Sequence, residues 1–222
     1  ETSLAWTTIP KIRACAMPVV KGNLQPVLDK VNTIYWFRKA LRLHDNPSLV
    51  RAVQGASTFH PVFCVDTEAP GASSFVRTGK VGVNRMKFLL ETLDDLNQSL
   101  NNMDSRLMVL QGNPLEELPR AFKAWNIKRL AFETDTEPWT IKQEAEIRKI
   151  AEASGVEVVT CVGHTLADHK ALLRETGGKP MTTFSTFCRV LEEHLQRHPL
   201  VLAEDVSSVP PLSAEASKEA EE

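Results

Sequence analysis

Several things are scarce in this sequence, and each shortage argues against a class of function. There are four cysteines, Cys15, Cys64, Cys161 and Cys188, with no CxxC pair and no metal-ligand spacing. A disulfide framework or zinc ribbon is therefore not expected, and a reducing compartment suits the chain. Cys64 and Cys161 sit in apolar strand-like runs, where cysteine packs as a small hydrophobe. Ten glycines occur, yet none builds a GxGxxG or Walker loop, and G-x-S-x-G and H-E-x-x-H are missing too. The six histidines are scattered; His44 reads as a solvated or loop-anchoring residue. No catalytic constellation and no metal set is expected. No apolar run approaches the ~20 residues that cross a bilayer, and the start lacks the apolar core of a secretory signal. An intracellular protein, of nucleus, cytoplasm or organelle, is expected. An excess of one charge is missing as well: 26 Lys and Arg face 28 Asp and Glu. Residues 31–199 are close to neutral, which argues against a strong nucleic-acid interface on this chain.

What is present is an ordinary globular composition over 222 residues, 42% apolar and 24% charged. That length buries a real core. The ends look peripheral. Residues 1–30 read as an irregular extension with several prolines. Residues 200–222, rich in Ser, Ala and Glu with one Lys against six acids, read as an acidic disordered tail.

Between them, residues 31–199 read as one domain of alternating strands and helices. Thr33-Ile-Tyr-Trp-Phe37 is short, apolar and β-branched or aromatic, a buried strand. It ends at a cationic turn, Arg38-Lys39-Ala40-Leu41-Arg42, and Asp45-Asn46-Pro47 then opens a helix. Further strands are expected at 59–65, 106–110, 129–132 and 157–162. Helices are expected near 84–102, from 113 with Trp125 on its buried stripe, at 140–154 and at 183–198. The long connection 67–82 carries Arg77 and Lys80 beside a strand end, a position that is more often functional than not. Five strands alternating with helices predict an α/β fold: a doubly wound, five-stranded parallel sheet of order 3-2-1-4-5, Rossmann-like, with helices on both faces.

The opening stretch WFRKALRLHDNPSL also resembles the photolyase and cryptochrome family, whose first strand and loop read W-F-R-x-x-L-R-x-x-D-N-P-A-L. Asn84-Arg85-Met86-Lys87-Phe88-Leu89-Leu90-Glu91 with Asp95-Leu96 resembles the family's N-R-x-x-F-L-x-x-x-L-x-D-L helix. Phe132-Glu133-Thr134-Asp135-Thr136-Glu137-Pro138 resembles its F-E-x-D-x-E-P. Gly82-Val83-Asn84-Arg85 and the EP pair are most like the (6-4) photolyase and animal-type cryptochrome branch. The resemblance covers about residues 32–190, the family's N-terminal α/β domain. Two departures stand out: only 23 residues follow Pro199, too few for the family's helical domain that holds FAD, and Gln143-Glu144 stands where the family often has Arg-Asp.

The resemblance implies a light-harvesting or docking module of a blue-light flavoprotein. The parent reaction would be light-driven repair of pyrimidine photoproducts, or blue-light and circadian signalling. It implies an antenna chromophore, a folate pterin or a deazaflavin, and FAD only through the helical domain. That domain would be the partner, damaged DNA would be reached only through it, and a cryptochrome would add protein partners. No residue of this chain is expected to be catalytic. Site candidates cluster at the predicted strand ends: Arg38 and Arg42 after the first, Asp66 after the second, Asp135 and Glu137 after the fourth, with Arg85 at a helix start. Arginine faces stack on planar rings and carboxylates accept ring N–H groups. A plainer reading stands beside this, in which Arg38 and Asp45 pin the loop and Asp135 caps a turn. The alternative function is a free-standing nucleotide-binding α/β module.

Overall fold

The computed structural model describes residues 30–66, 82–200, 202–203 and 205–219. The expected extension before residue 30 and the connection 67–81, with Arg77 and Lys80, lie outside the described residues. The element order is β1 Val31–Phe37, α1 Pro47–Val53, β2 Ala56–Val65, α2 Val83–Asn101, β3 Met108–Gln111, α3 Pro114–Ala124, β4 Arg129–Glu133, α4 Pro138–Ala153, β5 Glu157–Cys161, α5 His169–Glu175, α6 Phe184–Arg197 and α7 Ala214–Glu219. All strands pair parallel in the order β3-β2-β1-β4-β5. The expected sheet is therefore the observed one.

β1 explains the layering. Successive side chains of a strand point to opposite faces, and every residue from Thr33 to Phe37 is buried. Ile34 and Trp36 join one core cluster with Leu118, Phe122 and Ile147 of α3 and α4. Tyr35 and Phe37 join the other with Leu49 of α1 and Leu93, Leu96 and Leu100 of α2. Hydrophobic drive on both faces thus places helices on both faces. Trp125 is 1% exposed, the packing residue that its helical stripe predicts.

Local signals set the helix starts. Asn46 caps α1, its Oδ1 accepting from Leu49 N–H at 3.0 Å, with Pro47 at the first helical position. Asn113 and Pro114 repeat the device in α3. Gly155, at φ +66°, takes the left-handed turn between α4 and β5 that a side chain resists.

The expectation of a disordered tail is corrected by residues 205–219. Phe59 N–H donates to Pro211 O at 3.0 Å, beside the part of β2 that β3 does not reach. Ser213 N–H donates to His60 Nε2 at 3.3 Å. Leu212 and Ala216 pack into the cluster around Trp125, and Ala216 is fully buried. Composition misled because the few apolar contacts, of Val206, Val209, Leu212 and Ala216, are scattered among polar residues and are joined by backbone hydrogen bonds, which carry no hydrophobic signal. An exposed strand edge needs its polar backbone groups satisfied, and the tail satisfies one. Among the described residues, no helix is long and apolar enough to cross a membrane.

Candidate functional site

Parallel strands put all their carboxyl ends on one edge, so the loops after β1, β2 and β4 meet there. Two adjoining cavities of about 270 Å³ and 510 Å³ open at this edge and share Arg38, Lys39, Phe63, Cys64, Asp66 and Arg85. They form one recess. Asp135 and Glu137 line the smaller part; Leu41, Phe88 and Leu89 make an apolar wall in the larger. Five of the six sequence candidates, Arg38, Asp66, Arg85, Asp135 and Glu137, thus come together.

Arg42 does not join them. Its guanidinium donates to Asp45 O at 2.9 Å and Gly163 O at 2.8 Å, and it borders a separate 780 Å³ hollow with His164 and Leu202. It ties the loop after β1 to the loop after β5.

Arg38 lies in the recess floor with its charge already engaged. Nη1 meets Glu144 Oε1 at 2.6 Å and Glu133 O at 3.3 Å, and the guanidinium lies over Trp36 at 4.8 Å. The side chains of this ion pair are only 11% and 9% exposed. The loop-pinning reading therefore describes Arg38, but the partner is Glu144 and not Asp45 or Asp135. Glu144 Oε1 also accepts from Asp135 N–H at 2.9 Å, so one carboxylate ties β1, the loop after β4 and α4 together.

The cation that faces Asp135 and Glu137 is Lys39, which sequence reasoning left out of the candidates. Nζ lies 2.8 Å from Asp135 Oδ2 and 2.9 Å from Glu137 Oε1. Burial pulls the Lys39 pKa down, but its hydrogen bonds to the two carboxylates outweigh this and leave it raised. Burial likewise pushes Asp135 up, yet Lys39 and the N–H groups of Thr136 and Glu137 hold it below the usual carboxylate range. Asp135 thus caps its turn and also pairs with a cation. Next to it, Glu133 is buried and its pKa is raised, first by burial; Arg42 lies 4.0 Å away. Burial and the nearby Glu117 and Asp66 push the Cys64 thiol to about 12, so no reactive thiolate lines the recess.

Two sequence signals could have found the missing residues. Lys39 adjoins Arg38 in the cationic turn. Glu144 sits on α4 between Thr140, Ile147 and Ala151, all buried; a charge on a buried stripe announces a partner. Arg85 is exposed in the first turn of α2, a helix without an acidic residue or side-chain cap there.

The recess combines an apolar wall with a few polar groups, the make-up of a small-molecule site. Among the described residues its facing charges are engaged with one another, Lys39 with Asp135 and Glu137 and Arg38 with Glu144.

The family model for DNA photolyase matches residues 33–206. Cryptochrome-1 of Mus musculus is 43% identical over 157 residues, 71% of this chain and 25% of that protein. The (6-4) DNA photolyase of Arabidopsis thaliana is 36% identical over 207 residues, 90% of this chain and 37% of that protein. The chain thus spans between a quarter and somewhat over a third of these relatives. Among solved structures, the Synechocystis sp. PCC6803 cryptochrome superposes with a TM-score of 0.69 at 24% identity, over 86% of this chain and 38% of that one. The Sulfolobus tokodaii photolyase, whose structure holds two FAD molecules and carries the implication of a novel light-harvesting cofactor, gives 0.63 at 20% identity, over 84% and 39%. At those identities the structures speak for the fold. The match runs through all five strands and the loops that build the recess: the chain belongs to the DNA photolyase family, on the branch of (6-4) photolyases and animal-type cryptochromes.

Proposed function

We propose that this domain is the light-harvesting and docking part of a blue-light flavoprotein, and that its recess holds a planar antenna chromophore, a folate pterin or a deazaflavin. The observation that carries the reading is the recess at the carboxyl ends of β1, β2 and β4, apolar on one wall and lined with opposite charges on the other. Its larger part, about 510 Å³, falls in the range of small-molecule sites. When bound, the antenna absorbs near-ultraviolet or blue light and passes excitation to a flavin. The protein's task is therefore orientation. Phe63 and Leu89 offer an apolar face, Arg85 a cation for an anionic tail, and Asp66 a carboxylate for a ring N–H. The Arg38–Glu144 pair keeps the floor rigid. Lys39, Asp135 and Glu137 hold the loops after β1 and β4 in register.

The flavin, the light-driven repair of pyrimidine photoproducts or the circadian signalling, and the contacts with damaged DNA are assigned to a helical FAD domain in the part of the relatives that this chain does not span. An intracellular setting, in nucleus or cytoplasm, goes with this reading. The test is an absorbance scan of the purified chain, alone and after incubation with a folate pterin or a deazaflavin. Bands that stay with the protein through gel filtration, and that Arg85→Ala weakens at least about tenfold in affinity, support the proposal. No retained chromophore, or adenine nucleotide in its place, overturns it in favour of a nucleotide-binding module.

A further inference from the structure

We propose that Glu175, His194 and His198 form a site for a divalent cation of the zinc class, which clips the end of α5 to the last turn of α6. The site is remote from the recess in its residues and independent of the antenna reading. His194 and His198 are four residues apart, so a helical turn sets their rings side by side; the centroids are 4.8 Å apart. The turn after α5 closes with Gly177 and Gly178 at φ +64° and +81°, where side chains are resisted, and the chain reverses into α6. That reversal brings Glu175 onto the histidine pair. Its Oε1 lies 2.6 Å from His194 Nδ1, and one ligand atom from each of the three residues falls within 4.8 Å of the others.

Two imidazoles and a carboxylate are a donor set that zinc uses, with ligand bonds near 2.0–2.2 Å. Calcium and magnesium prefer oxygen-only shells, so imidazoles select the later transition metals. The carboxylate is already oriented. Arg197 Nη2 holds its other oxygen, Oε2, at 2.6 Å and so leaves Oε1 turned to His194. α6 has reason to need a clip: Val190 is its one buried residue among those described, and Phe184 is 81% exposed. Apolar packing alone holds this helix weakly.

The sequence holds neither a CxxC pair nor H-E-x-x-H, so no metal ligands are expected from it. A bare H-x-x-x-H pair becomes specific only once a third ligand from another element stands opposite, and the fold supplies it.

The test uses the untagged chain, stripped of metal by a chelator. Zn²⁺ is titrated in against a chromophoric competitor, and Co²⁺ is used to read coordination by its visible absorption. The expected result is one equivalent bound, with Co²⁺ bands of a low-coordinate nitrogen and oxygen site. His198→Ala and Glu175→Gln should each weaken binding at least about tenfold, while His169→Ala leaves it unchanged. Zinc should raise the unfolding temperature of the parent chain and not of the two variants. All the substitutions are at the surface, and circular dichroism verifies that each variant folds. No binding by about 1 mM zinc, or binding that both variants leave intact, overturns the proposal.

Discussion

Arg38 illustrates how a residue's meaning depends on its partner. From the sequence it is a charged loop residue at a strand end, available to a ligand. In the structure it is held by Glu144 at 2.6 Å in a nearly buried pair. Removing one partner strands the other charge, so Arg38→Ala should cost about 3 kcal/mol in urea unfolding; a cost under about 1 kcal/mol would show the pair to be a surface one. Asn46→Ala removes both the cap of α1 and the acceptor for Tyr35 Oη at 2.9 Å. It should cost about 2–4 kcal/mol by the same measurement. Glu133 makes a pH prediction. Its folded pKa lies above its ordinary 4.5 because burial disfavours the charge. The folded state therefore binds the proton more tightly than the unfolded state, and this contribution to stability falls as pH rises from 4.5 through the folded value. Asp135 has the opposite sign: its contribution is present above its ordinary 3.8 and is lost as pH falls through its lower folded value. Urea unfolding of Glu133→Gln from about pH 4 to about pH 8 should lack the fall attributed to Glu133; an unchanged profile would assign it elsewhere.

At the scale of elements, the tail from residue 205 behaves as an added piece of the sheet's surround. His60 is its latch. Nδ1 lies 3.1 Å from Thr33 O, so Nδ1 carries the proton and Nε2 accepts from Ser213 N–H. Burial, then, lowers the His60 pKa from 6.5, while Thr33 O and the more distant Glu215 act against this. The ring stacks on Trp125 at 5.2 Å. A depressed histidine favours the folded arrangement above its ordinary pKa, and that favour is lost as pH falls from 6.5 toward the folded value. The protection factors of the Ser213 and Ala216 amides, which divide out the intrinsic pH dependence of exchange, should therefore fall below about pH 6.5 and do so less in His60→Gln. An equal fall in both chains would place the sensitivity outside His60. The tail's role also explains why an α/β sheet whose β3 has only four residues, Met108–Gln111, keeps the amino half of β2 covered.

For the whole molecule, the prediction follows from the span of the match. The chain corresponds to a quarter or somewhat more of its relatives, and among the described residues the facing charges of the recess are held in ion pairs. Purified alone, it should not retain FAD in stoichiometric amount, which the visible spectrum measures directly. Illumination of a damaged oligonucleotide with this chain and added reduced flavin should restore no more bases than flavin alone. Extruding a base costs a few kcal/mol and needs a receiving pocket, and a near-neutral domain recovers little of that through phosphate contacts. Restored bases above the flavin control would move catalytic competence into this domain.

The sequence by itself determined the sheet. Five β–α alternations and the right hand of their crossovers narrow the sheet to a few parallel orders, of which 3-2-1-4-5 is the default, and helix starts follow from Asn46-Pro47 and Asn113-Pro114, because these are local rules acting over a few residues. The same locality put Arg38, Asp66, Arg85, Asp135 and Glu137 at one edge, since every parallel strand ends there. Only the tertiary structure decided which charges meet. Arg38 took Glu144 from 106 residues away, Lys39 took Asp135 from 96, and Arg42 turned to Gly163 from 121. It also decided that a Ser-, Ala- and Glu-rich tail docks, through contacts of Pro211 and Ser213 with Phe59 and His60. Such pairings depend on a few ångströms between elements distant in the chain. Composition and periodicity carry no record of those distances, because they describe each element's face and not the neighbour it meets.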